Sequence, residues 1–128
     1  MVRPLSFHGR VEKGEGIAAQ LGCPTANVAV EQGAIIPALG VYVGEAEVDG
    51  QRYQALICIN DGRTGYNLKM EVHLVGQKDI DFTGKHISVD LYEKIRDLIP
   101  FPGNEVMTEM IKVDLENARK WFATSSPI

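Results

Sequence analysis

The feature that most limits the architecture is a change of period along the chain. Over its first three quarters the sequence reads as short segments rich in Val, Ile, Tyr and Leu, broken by glycines at intervals that suit strands and turns. Candidate strands cover 5–13, 25–30, 40–48, 53–60, 68–75 and 87–95. Val48-Asp49-Gly50-Gln51 joins the third and fourth of them as an antiparallel pair, because Asp-Gly supplies the positive φ angles of a two-residue hairpin turn. From Glu105 the period becomes helical. Val106, Met107, Met110, Ile111, Leu115, Ala118, Trp121 and Phe122 recur in steps of three and four and mark one face, with Gly103 or Asn104 as its cap. Short strands followed by one helix predict a small antiparallel barrel with the helix laid against it, since closure removes exposed strand edges.

Composition sets the bounds around that pattern. With 128 residues, 45% of them hydrophobic, the chain is expected to form one domain with its own core, a barrel over about 5–97 and a helix over about 104–122. The 13 Lys and Arg against 17 Asp and Glu give a net charge of -4, which argues against nucleic acid, where phosphate neutralisation needs clustered cations. No membrane surface is implied, and no stretch is apolar enough to span a bilayer or serve as a signal peptide. Cys23 and Cys58 lack metal-ligand spacing, so zinc and disulfide frameworks fail and a reducing cytoplasm is the expected location. A monomer is expected.

Three segments are candidates for chemistry. Gly14-Glu15-Gly16 to Gly22 is a glycine-bearing loop whose backbone amides suit phosphate oxygens, although glycines between strands commonly serve only to turn the chain. Pro24 then fixes the mouth of a strand. If that strand is extended, Thr25 and Asn27 point to the same face and offer two neutral oxygens suited to magnesium; the alternative is a polar strand entry bonded to nearby backbone. In Met70-Glu71-Val72-His73 the alternation puts Glu71 and His73 on one face, either in solvent or, for Glu71, as an acceptor of a substrate proton.

Taken together these pieces resemble the riboflavin kinase family, whose pattern runs Gly-x-Val, a glycine-rich loop, Leu-Gly-x-Pro-Thr-Ala-Asn, Pro-x-x-Gly-Val-Tyr, Glu-x-His and a late Arg. Here the order is Gly9-Arg10-Val11, Leu21-Gly22-Cys23-Pro24-Thr25-Ala26-Asn27, Pro37-Ala38-Leu39-Gly40-Val41-Tyr42, Glu71-Val72-His73 and Arg96. The resemblance covers nearly the whole chain. It implies a mainly β fold, a six-stranded closed antiparallel barrel with a C-terminal helix, that transfers the terminal phosphate of ATP to the 5'-hydroxyl of riboflavin to give FMN and ADP. Carried over by motif, Thr25 and Asn27 bind magnesium, Gly14, Gly16, Gly22 and Pro24 shape the nucleotide loop, Glu71 is the base, and Arg96 and Phe101 lie near the flavin.

The chain also departs from the family pattern. Gly16 is followed by Ile17-Ala18-Ala19 where the family usually continues Gly-x-Gly-Arg-Gly-Arg, and Cys58-Ile59-Asn60 stands where it commonly has Asn-Ile-Gly. Losing two arginines beside a triphosphate predicts weaker ATP binding or an altered nucleotide preference unless Lys13 or Arg63 supplies the charge. It also motivates a competing reading, a non-catalytic flavin- or nucleotide-binding barrel. In many bacteria such a domain follows an FMN adenylyltransferase domain; these 128 residues hold no counterpart of it, so FAD synthesis is not expected of them.

Overall fold

The structure, a computed structural model, describes residues 5–12, 26–30, 38–60, 69–76, 82–98 and 103–124. Six strands precede one helix: β1 (Leu5–Glu12), β2 (Ala26–Val30), β3 (Gly40–Val48), β4 (Gln51–Asn60), β5 (Lys69–Leu74), β6 (His86–Arg96) and α1 (Asn104–Thr124). They close in the order β1-β2-β5-β4-β3-β6, every neighbouring pair antiparallel, so each of these strands is paired on both sides. The expected six-stranded closed barrel with a C-terminal helix is what forms.

Alternation along each strand builds the interior. Phe7 and Val11 of β1, Ile57 and Ile59 of β4, Val72 of β5, and Ile87 and Val89 of β6 meet in one apolar core. The β3–β4 hairpin turns as its sequence demands, with φ 53° at Asp49 and 80° at Gly50. Strand β3 is buried on both faces over its first half. Tyr42 points inward, while Val41 and Val43 point outward with Leu56 and pack against Ala118, Leu115 and Trp121 of α1. This outward apolar patch is what seats the helix. Trp121 stacks on Tyr92 at 5.6 Å and 11°, and the Tyr92 hydroxyl donates to Glu45 at 2.6 Å, tying the end of α1 to β6 and β3.

The Gly103 carbonyl accepts the Met107 amide at 3.0 Å, so Gly103 rather than Asn104 closes the first turn, at a φ of 104° that disfavours a side chain. The helix face differs from expectation at two points. Val106 is 50% exposed, because the buried stripe centres between Asp114 and Ala118 and Val106 lies on the order of 100° round from it. Asp114, a carboxylate, sits inside that stripe at 5% exposure.

Two strand glycines mark close approaches. A β-carbon at Gly9 would lie 2.2 Å from the Ala29 carbonyl oxygen, and one at Gly44 would lie 2.0 Å from that of Asp90. Both obstacles are backbone of the neighbouring strand and cannot rotate away. Gly44→Ala is therefore expected to cost about 2 kcal/mol by forcing β3 and β6 apart. Urea unfolding checks this, and a midpoint equal to that of the unaltered protein would refute it. Among the described residues, no helix is long and apolar enough to cross a membrane.

Candidate active site

One row of cross-strand neighbours, winding around the barrel, carries the site. Ladder partners run Glu12–Asn27–Glu71–Cys58–Val41–Arg96, one residue from each strand. Residues directly opposed on neighbouring strands project to the same face. That face is the outer one, because the flanking Met70, Val72, Ile57 and Ile59 fill the core. Asn27 and Glu71, far apart in sequence, are thus side by side between Glu12 and Cys58, whereas Arg96 lies three strands from Glu71, roughly 14 Å away by strand spacing.

Glu71 is half-buried, and its Oε2 accepts a hydrogen bond from Asn60 Nδ2 at 3.3 Å. The same amide lies 3.6 Å from the Cys58 sulfur. His73 shares the Glu71 face as the alternation requires, but it is 7% exposed rather than solvated. Its cross-strand partner is Leu56, part of the apolar patch under α1, which draws that end of β5 out of water. Burial pushes the Cys58 thiol above its ordinary range; the Asn60 hydrogen bond and the Arg96 charge partly oppose this, while Glu71 and Asp114 add to it. A thiol held protonated is a poor nucleophile. In a Cys23→Ser protein, Cys58 is expected to react with a disulfide reagent at pH 8 at least about tenfold more slowly when native than in denaturant. Equal rates would refute the burial of this group.

The Arg96 guanidinium is committed to the helix. Its Nε and Nη2 donate to the two carboxylate oxygens of Asp114, each at 2.8 Å, and Nη1 donates to the Asp97 carbonyl at 3.1 Å. The Asp114 bonds raise the Arg96 pKa against the opposing effect of its own burial. Asp114 and Asn60 escaped the sequence reading. For Asp114 a signal existed: it stands three residues after Ile111 and four before Ala118, inside the apolar stripe, where a carboxylate requires a buried cation. For Asn60 there was none, since its contact depends on strand pairing.

Gly14, Gly16, Gly22, Pro24, Thr25 and Phe101, with Lys13 and Arg63, lie outside the described residues. Of the expected magnesium ligands, Asn27 is described, flanked on its face by Glu12 and Glu71. An amide oxygen between carboxylates is a hard donor set and fits magnesium. Among the described residues no group of three or more His, Cys, Asp or Glu side chains is arranged to hold a metal.

A family model for riboflavin kinase matches residues 1–122. The chain belongs to the riboflavin kinase family. It is 31% identical over 125 residues to the bifunctional riboflavin kinase/FMN adenylyltransferase of Bacillus subtilis (strain 168), covering 94% of this chain and 40% of that protein. It is 32% identical over 135 residues to the protein of that name from Pseudomonas fluorescens, covering 97% of this chain and 40% of the relative. This riboflavin kinase family member therefore spans about 40% of the length of the curated relatives it matches. Among solved structures, riboflavin kinase from Trypanosoma brucei superposes with a TM-score of 0.70 at 21% identity, covering 97% of this chain and 83% of that one, a likeness of fold. A Streptococcus pneumoniae structure named a macrolide-efflux protein superposes with a TM-score of 0.84 at 29% identity, covering 92% of this chain and 39% of that one.

Proposed function

We propose that this chain is a riboflavin kinase that transfers the terminal phosphate of ATP to the 5'-hydroxyl of riboflavin, giving FMN and ADP. The observation that carries the reading is the pairing of Asn27 with Glu71 on one outward face, a metal-compatible oxygen beside a carboxylate. Phosphoryl transfer asks a protein mainly for positioning and charge neutralisation, so this short list of groups suffices. Glu71 orients the 5'-hydroxyl and takes its proton as the oxygen bonds to phosphorus, and the bond from phosphorus to the bridging oxygen of ADP breaks. Asn27 and Thr25 would hold magnesium, which when bound offsets charge on the phosphates. Gly14, Gly16, Gly22 and Pro24 would shape the loop over the nucleotide, and Phe101 would flank the flavin.

Arg96, in this reading, serves the flavin end by fixing α1 through Asp114. The enzyme would act on small molecules alone, as a cytoplasmic monomer, in keeping with a net charge of -4 and a free Cys58. The test is conversion of riboflavin to FMN by purified protein with ATP and magnesium, followed by chromatographic separation of the two flavins. Riboflavin binding without conversion across a panel of nucleotides and divalent metals would overturn it in favour of a non-catalytic binder.

A further inference from the structure

Among the described residues on the outward face around Glu71, Asn60 is the one that donates a hydrogen bond to its carboxylate through a side-chain amide. Asn60 ends β4, two residues beyond Cys58 and therefore on the same face, and its Nδ2 donates to Glu71 Oε2 at 3.3 Å while lying 3.6 Å from the Cys58 sulfur. A glutamate has three rotatable bonds, so a fixed donor on one oxygen narrows where the other can point. The group beside it does this work less well: the Cys58 thiol, kept protonated by burial, is only a weak donor. Asn27 faces Glu71 from β2, with Glu12 beyond it on β1, and the Arg96–Asp114 pair lies on the far side of Cys58. A neutral amide donor orients the carboxylate without adding a charge to this face.

We infer that Asn60 is a positioning residue for the proposed base, holding Oε2 of Glu71 so that its other oxygen meets the substrate hydroxyl. The inference rests on the kinase reading. It assigns Asn60 no contact with substrate; its whole effect passes through Glu71. Removing it should therefore lower kcat and leave the KM values for riboflavin and ATP nearly unchanged, because the ground-state contacts remain.

The experiment is a double-mutant cycle on the full chain, using Asn60→Ala, Glu71→Gln and the pair, with riboflavin binding and thermal melting as controls for folding. Asn60→Ala is expected to lower kcat about tenfold, the scale of one hydrogen bond to a charged group, with KM changed by less than about twofold. In the Glu71→Gln background the same change should have almost no effect, since groups acting as a unit are non-additive. Asn60→Leu, which keeps a similar size and loses the N–H without adding a charge, should follow Ala rather than the unaltered protein. An Asn60→Ala effect that is equal in both backgrounds, or that appears only in KM, overturns the inference while leaving the kinase reading intact. Full turnover in Glu71→Gln overturns the role of Glu71 itself, and the inference falls with it.

Discussion

Glu71→Gln is expected to reduce FMN formation about a hundredfold or more while riboflavin still binds. The substitution keeps the length and outline of the half-buried side chain and an acceptor oxygen for Asn60, so the barrel should be undisturbed. What it removes is the capacity to take a proton. A hydroxyl that keeps its proton through the transition state leaves positive charge on the attacking oxygen, and general base catalysis supplies about two to four powers of ten against that penalty. The effect should fall on kcat, because binding of ATP and flavin draws on other groups. Single-turnover conversion measured by flavin chromatography, alongside flavin fluorescence for binding, separates the two. Turnover within about threefold of the unaltered protein would remove Glu71 from the chemistry.

Asp114→Ala is expected to destabilise the fold by about 3 kcal/mol, the lower end of what removing one partner of a buried ion pair costs. The lower end applies because Arg96 retains 25% side-chain exposure while Asp114 has 7%. Both bonds at 2.8 Å are lost, and the guanidinium is left beside an apolar patch with half its partners gone. For a domain of 128 residues this corresponds to a fall in Tm of about 10 °C. Replacing both partners, as in Arg96→Met with Asp114→Leu, should recover most of the loss, because it is the unpaired buried charge that is costly. A fall of less than about 2 °C for Asp114→Ala would show that α1 is held by its apolar contacts alone. Losing the ion pair should also loosen the helix against β6, so flavin affinity measured on the same protein reports whether α1 matters to binding.

Local pattern carried most of the architecture. Segments rich in Val, Ile, Tyr and Leu between glycines marked the six strands within about two residues at each end, Asp49-Gly50 specified its hairpin, and the step of three and four found α1. Two-residue alternation put Glu71 and His73 on one face before any pairing was known, because side-chain parity along a strand is a property of neighbours in sequence. Parity does not say whether a face is wet. His73 is buried because its partner across the ladder happens to be Leu56, under the helix, and Asp114 is buried because a cation three strands from Glu71 reaches it.

The strands, the turn, the helix and the sharing of one face by Glu71 and His73 were thus legible in the chain alone, since these follow from dihedral preferences and periods that act over a few residues. That β2 lies between β1 and β5 came from the assembled barrel, and with it that Asn27 stands beside Glu71, Asn60 reaches the same carboxylate, and Arg96 closes on Asp114. Strand order and register are set by closing the barrel around one apolar interior. That is a property of all the strands together, and no segment carries it alone.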